Sequence, residues 1–528
     1  MLSNQKLVVQ SSAAQASQDR SFVLPNPGDV IIAMVFGWSF FCFFLVIGGK
    51  RILRQLARLS TSQSMQELFL SADVQLLGAL MVVGSIVIIV SLLLIYRYPF
   101  AFMGVFAFGL TFGNGSWKPL HDVALISKYL GVVCLVGIGA LFLYKNIWRL
   151  IATPYLRLWL IHIIWTAAIC IFLGGKNNDF WYLGSEFALV VGFSIVWLET
   201  FVKDSQGLYE FNKVLAWTAI VILFFNLLAP VLAAEPIYNS RFKGYTNRAT
   251  MFAIVFSPAV LALFWMSMNE KKALLRQIFA AAAMLGFGLI LWSGTRSAIA
   301  GVLLGVGILW WVFRTRIMYL LVVLAFFGLI LQIVAGGSSD VTAISDRLQT
   351  ADTGRTILWA RYFPLGLESP IYGYSPTGTE RAIVGGSRAD FLAGFGVSAA
   401  YKGFHNAYLA MFLKFGGVGV GLMLLLLGLA MRRARLIIFS SDVPLDEKKL
   451  YVLPVAIMVV ISIEAIIEDI ISASGKGTII GLSYFSSLIL CEMHGRRLYE
   501  QYVVAKPESD VQAKSQVAVI SEESSIAL

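Results

Sequence analysis

Residues 249–268 read ATMFAIVFSPAVLALFWMSM, residues 277–293 read QIFAAAAMLGFGLILWS, and residues 297–313 read SAIAGVLLGVGILWWVF. At 1.5 Å per helical residue, twenty such residues reach about 30 Å, the thickness of the hydrocarbon in a bilayer. The first connector carries Lys271, Lys272 and Arg276, and the second is the tight turn Ser293-Gly-Thr-Arg296-Ser297. Apolar runs with charge confined to their connectors read as membrane-spanning helices. Lipid leaves only helices or closed barrels as spanning structures, and nothing here alternates as barrel strands do.

The pattern extends along the chain. Further runs lie near 30–48, 74–96, 99–113, 123–144, 157–175, 180–199, 214–234, 317–335, 405–430, 450–471 and 477–493. The 99–113 run is short enough to merge with its neighbour, so about 12–14 spanning helices are expected. Composition agrees: of 528 residues 58% are hydrophobic and only 13% charged, where a soluble domain carries about 25%. The mean hydropathy is +0.78. Too little polar surface remains to coat a globule. The fold expected is an all-α polytopic membrane protein with one large periplasmic loop containing short helices.

The formal charge of +11 does not indicate nucleic acid, because the basic residues fall in short clusters between apolar runs. Cys42, Cys134, Cys170 and Cys491 sit in apolar runs without metal-clamping spacing, and His121, His162, His405 and His494 are equally scattered. No metal and no cofactor are expected. Residues 1–28 are polar and hold no apolar core before a cleavage site, so the run from Val30 to Ile47 is expected to stay as an anchor.

Lysine and arginine in short loops set orientation. Lys145 and Arg149, Lys203 and Lys213, Lys271 to Arg276, Arg314 and Arg316, Arg432 to Lys449, and Arg496 with Arg497 fall on one side by alternation. That side reads as cytoplasmic, which places 336–404 outside. Lys50, Arg51, Arg54 and Arg58 break the parity. Either the count is off by one near 74–113, or the first run does not span simply. The chain then divides into a polar segment (1–28), spanning helices (29–234), and spanning helices with short arginine-containing periplasmic loops (235–335). A large periplasmic loop (336–404), the last spanning helices (405–497) and a tail (498–528) expected to be disordered and cytoplasmic complete it.

Four polar patches end up outside: residues 235–248 with Arg241, Lys243 and Arg248; the Ser293–Ser297 turn with Arg296; the long loop with Arg347, Arg355, Arg361, Arg381, Arg388 and Lys402; and His405-Asn406. Arginine keeps its charge and grips phosphate through a bidentate fork, each charge-assisted bond contributing about 1.5–3 kcal/mol. The other reading is that these arginines brace the loop against Glu235, Asp340, Asp346, Asp352, Glu368 or Asp390. Arg355 opens an amphipathic helix expected over 354–365, capped by Asp352 or Thr353, with Pro364 in its end region. Arg355, Trp359 and Tyr362 then share a face that lies on the membrane or roofs a cavity. Imidazoles titrate close to neutrality, and one placed as His405 is can take a proton from a sugar hydroxyl, worth about 10²–10⁴-fold. Asn406 and the following helix would fix it. Within the apolar runs, Glu464 and Glu468 lie one turn apart, as carboxylates that partner the arginines or carry protons. His162 and Glu186 are candidates to pair. Gly301-x-x-x-Gly305 and Gly417-x-x-x-Gly421 suggest close helix packing.

The order Thr353-Gly-Arg355-Thr-Ile-Leu-Trp359, Glu368-Ser-Pro370-Ile-Tyr-Gly373-Tyr374, Phe404-His405-Asn406-Ala-Tyr-Leu409, then Gly416 and Gly419 resembles the O-antigen ligase and polymerase superfamily. Ser293-Gly-Thr-Arg296-Ser resembles the hairpin that precedes the family's large loop, and the resemblance covers roughly residues 235–430. It implies a metal-independent glycosyltransferase of the bacterial inner membrane, its active site facing the periplasm. The donor would be an oligosaccharide on undecaprenyl diphosphate. The resemblance implies Arg241 or Arg248, with Arg355, as the diphosphate clamp, joined by Arg296 and Arg361, and His405 as the base that activates the acceptor hydroxyl. Trp359, Asn406, Glu464 and Glu468 would support them. The Thr-Gly-Arg-Thr-x-x-Trp run looks closest to exopolysaccharide polymerases, with a ligase acting on lipid A-core as the alternative. Chain-length regulators and flippases would be partners, and a lipid-linked sugar transporter or a scaffold is the rival class.

Overall fold

The computed structural model describes residues 90–93, 95–113, 118–174, 177–232, 237–238, 241–246, 249–314, 355–379, 405–468, 470 and 478–504. Apart from one short ribbon, the regular structure is helical: α1 (Pro99–Phe112), α2 (Lys118–Ala152), α3 (Pro154–Ile169, prolonged by a π turn Cys170–Gly174), α4 (Asn177–Phe187, prolonged by π-helical Ala188–Trp197 and a last turn Leu198–Phe201) and α5 (Ser205–Leu232). The ribbon β1 (Ile237–Tyr238) and β2 (Arg241–Phe242) follows. Then come α6 (Ala249–Asn269), α7 (Ala273–Ser293), α8 (Arg296–Phe313), α9 (Arg355–Glu368), α10 (Ala407–Phe439), α11 (Leu445–Ile467) and α12 (Thr478–Tyr499), whose helix runs on to Val504. Helix therefore enters the segment expected to begin a disordered tail.

Among the described residues nine helices are long and apolar enough to span, or ten if the bent pair Val90–Arg97 and Pro99–Phe112 counts as one. The all-α polytopic architecture is as expected. The 99–112 run is a helix turned 120° from Val90–Arg97, so the pair is either one broken span or a re-entrant turn. Lys50 to Arg58 lie outside the described residues, so the parity question stays with the sequence. α12 falls outside the nine because Ser483, Ser486, Ser487 and His494 dilute its apolar face; those groups are buried among neighbouring helices.

The helix ends sort into two groups. At the basic end, Arg149 lies 3.7 Å from Glu199, Arg497 donates to the carbonyls of Val202 and Lys203, Ser205 donates to Glu447 at 2.6 Å, and the Trp265 indole donates to the Lys449 carbonyl at 2.6 Å. The opposite end collects the described parts of the polar patches singled out above: the Arg241 ribbon, the Ser293–Arg296 turn and His405-Asn406. Midway, His162 Nε2 lies 3.3 Å from Glu186 Oε1, both buried, so the expected pair forms.

Glycine sets the closest helix contacts. A Cβ on Gly192 would stand 2.2 Å from the Leu135 carbonyl, so α2 and α4 touch backbone to backbone. Gly301 and Gly305 face Val460, Glu464 and Leu261, which lets α8 settle between α6 and α11 as the spacing suggested. The Gly417–Gly421 spacing does not pack helices: Gly417 faces the Pro370 carbonyl, and nothing lies within 4 Å of a Cβ on Gly421. Gly305→Val should lower the thermal midpoint in detergent by an overpacking cost of about 1–3 kcal/mol. Gly307→Ala, on the open side of the same helix, should leave it in place.

Candidate active site

The α7–α8 turn forms because Gly294 takes φ 62°, a left-handed backbone that glycine adopts without strain. Thr295 occupies the N-cap of α8 but makes no side-chain bond to its first turn. Its hydroxyl instead lies 3.1 Å from Ser293 Oγ and 3.3 Å from Arg241 Nη2. Arg241 Nε also donates to the Ser293 carbonyl at 2.5 Å. Two of this guanidinium's five N–H donors thus brace the turn. Phe242, next in the ribbon, packs on Trp292 and Phe252 at centroid distances of 5.4 and 4.9 Å. Asn226 of α5 accepts from Tyr245 N at 3.2 Å, tying down the following turn. Arg296 is the first residue of α8, where a cation opposes the helix dipole by about 0.3–1 kcal/mol unless an anion lies near.

His405 stands before α10 with φ 49°, an uncommon conformation for a residue with a Cβ, costing about 1–3 kcal/mol. Asn406 is the cap: its side chain accepts from Leu409 N at 2.9 Å. With the cap made by its neighbour, the imidazole turns to α11, where Nδ1 lies 2.9 Å from Glu468 Oε2. The side chains are 16% and 11% exposed, so solvent screens the pair weakly. Glu468 closes α11, its N–H bonded to the Glu464 carbonyl at 2.9 Å. Glu464 is fully buried and lies 2.8 Å from Ser257 Oγ of α6. Among the described residues its partner is a serine and not the arginine expected.

The helix expected at 354–365 runs from Arg355 to Glu368 and takes Pro364 inside it, not at its end. Asp352 and Thr353 lie outside the described residues. The face bearing Trp359 and Tyr362 roofs α10: Tyr362 and Leu413 are buried against each other, with Trp359, Leu365 and Leu409 around them. Phe363 stacks on Phe412 at 5.9 Å. After α9 the chain stitches itself into α10. Gly416 has φ 69° and ψ −173°, which breaks the helix. Tyr374 N and Ser375 N donate to the carbonyls of Leu413 and Lys414 at 2.8 and 2.9 Å. Gly417 N and Val418 N donate back to Pro370 and Ile371. The Tyr374 hydroxyl bridges the Leu365 carbonyl and Glu368 at 3.1 Å each; burial first, then that carboxylate, raises its pKa. Asp179 of α4, buried, accepts from the amide N–H of Thr377 at 2.9 Å and from its hydroxyl.

The structure therefore brings Arg241, Arg296, Glu464, Glu468, His405 and Asn406 to one end, with Trp359 on the neighbouring α9. Arg355 opens α9 and Arg361 follows on it; Arg248 lies outside the described residues, as do Arg347, Arg381, Arg388 and Lys402. Sequence reasoning missed the Asp179–Thr377 clamp, the Ser257 contact and the role of Pro370–Ser375 as a stitch. Only the carboxyls one turn apart signalled Glu468. Among the described residues no three His, Cys, Asp or Glu side chains converge as a metal site would need.

Residues 279–424, from α7 into α10, match the family model described as O-antigen ligase. The match supports the O-antigen ligase and polymerase superfamily, whose members are glycosyltransferase-like membrane enzymes. No curated protein matches the chain.

A side chain at Gly416 would be strained by its φ, and its Cβ would lie 2.0 Å from the Ile371 carbonyl. Gly416→Ala should cut both the yield of folded protein and its thermal midpoint, whereas Gly421→Ala, with no atom near, should change neither.

Proposed function

We propose that the chain polymerises undecaprenyl-diphosphate-linked oligosaccharide repeats into exopolysaccharide or O-antigen at the periplasmic face of the bacterial inner membrane. One observation carries this reading. The His405–Glu468 pair and the Arg241-braced turn that starts α8 with Arg296 lie at the same end of the helices. They are joined through the packing of Gly301 of α8 against Glu464 of α11.

The chemistry follows from what each group holds. A carboxylate only accepts, so Glu468 accepts a hydrogen bond from Nδ1–H of His405, which selects the tautomer whose basic nitrogen is Nε2. The acceptor hydroxyl attacks the anomeric carbon as Nε2 takes its proton. The bond from that carbon to the diphosphate breaks, and undecaprenyl diphosphate departs with the electron pair. Negative charge grows on the leaving phosphate oxygen, and guanidinium groups aimed there stabilise it. Arg241, Arg296, Arg355 and Arg361, with Arg248, supply them, assisted by first-turn amides of α8 that receive no cap from Thr295. In this mechanism guanidinium charge does the neutralising, so no divalent ion is assigned to the step.

Polymerase is preferred because the Thr353-Gly-Arg355-Thr-x-x-Trp359 run resembles exopolysaccharide polymerases. The matched family's description favours ligation to lipid A-core as the second reading. Chain-length regulators and flippases would be its partners.

His405→Ala should slow release of undecaprenyl diphosphate from a purified preparation by about 10²–10⁴-fold, with protein levels normal. Arg355→Ala should abolish polymer, and chelator should leave turnover intact. Wild-type turnover from either variant removes that residue's role, and loss with chelator removes the metal-free step. Glycan gels from a deletion strain separate the readings: single-repeat material means polymerase, and long unattached chains mean ligase.

A further inference from the structure

One side of α9 carries Trp359 and Tyr362 onto α10; the other is left bare. Phe363 and Leu367, one turn apart, stay 52% and 55% exposed there, and the turn that follows adds Ile371 and Tyr372 at 57% and 50%. Ile371 sits against α10, where its carbonyl takes the N–H of Val418. Val418 is itself exposed on that spanning helix, and Leu425, two turns along the same face, is exposed as well. The apolar surface of the loop thus continues onto the lipid-facing side of α10. We propose that this patch is a membrane-contacting surface, with α9 and the turn after it seated in the lipid boundary at the end opposite the basic residues instead of standing in water.

Depth follows from α10. Counting twenty spanning residues back from Arg432, the first charge at its basic end, puts the edge of the hydrocarbon at about residue 412. The bonds of Gly417 and Val418 to Pro370 and Ile371 lie about five residues past that edge, roughly 8 Å at the rise of a helix. The charges at this level respect it. Lys414 is buried and turns inward, its Nζ 6.0 Å from the centre of the Tyr182 ring. Glu368 closes α9 beside the patch, exposed, and accepts from the Tyr374 hydroxyl at 3.1 Å. An exposed carboxylate tolerates the headgroup layer and not the hydrocarbon, so the patch sits at the boundary between them, where amphipathic helices lie and tyrosine rings are favoured. A second copy or another protein would also cover an apolar face, but neither accounts for its continuity with a surface that lipid already covers. This placement stands apart from the glycosyl-transfer reading. On that reading it brings the helix bearing Arg355 and Arg361 to the level of a lipid-borne diphosphate.

Nitroxide labels on the full chain in phosphatidylethanolamine–phosphatidylglycerol nanodiscs test it, with the signal of identically treated wild type subtracted for the native cysteines. Labels at Leu367→Cys and Tyr372→Cys should collide several-fold more often with oxygen, which concentrates in lipid, than with a water-soluble nickel chelate. A label at Leu425→Cys should behave in the same way. One at Asp446→Cys, an exposed side chain at the basic end, should show the reverse. Preference for the chelate at either loop position overturns the proposal. Protection from both reagents also overturns it, because protein would then cover the patch, and spin–spin broadening at 367 would identify that protein as a second copy. Should Leu367→Cys fail to fold, Tyr372→Cys decides alone. Full turnover in His405→Ala would overturn the transfer mechanism and leave the collision result standing.

Discussion

Inside hydrocarbon a peptide group has no water to bond, so every departure from helix must bring its own partners. Most of this chain never departs. Where α10 breaks at Gly416, four backbone bonds with residues 370–375 take over the carbonyls and amides that the break releases. The indole of Trp165 adds a fifth, donating to the Phe415 carbonyl at 2.8 Å. The same rule explains the serine and threonine hydroxyls that fold back onto carbonyls a turn earlier, as at Thr166 and Ser486. Burial also explains the pairing of Asp179, both of whose oxygens are occupied by one threonine.

Electrostatics divides the work along the helices. Basic residues at one end pair with Glu199, Glu492 and Glu500 or bond to carbonyls, an arrangement suited to holding helices together. At the other end the acids do different jobs. Glu468 meets an imidazole, Asp179 clamps a loop, and Glu464 faces a hydroxyl. Arg241 spends donors on a turn. The left-handed backbone at His405 belongs to the same economy of placement, since Asn406 caps the helix in its stead and frees the ring.

Much of this was legible in the sequence, for a physical reason. Apolar runs and basic loops are averages over many residues, so spanning helices, their alternation and the polar end survive errors at single positions. The α7–α8 turn was readable because Gly294 and the hydroxyls around it leave few conformations open. What was not legible depends on contacts between distant segments. Ser257 lies 207 residues from Glu464, and Asp179 lies 198 from Thr377; no periodicity announces either. The Gly417–Gly421 spacing misled for the same reason, because a loop and not a helix fills the space beside Gly417. Pro364 misled because a proline near a helix end is common, yet α9 continues past it for another turn.

The stitch between residues 370–375 and the broken α10 pins both banks of the stretch from 380 to 404 to one another. Changing the length of a segment whose ends are already held costs little in closure entropy and cannot alter the distance between its anchors. A change in the length of that stretch should therefore leave α9 and the start of α10 in register. The glycine at 416, whose φ and close backbone neighbours hold the two banks together, is then the position with the least freedom to change.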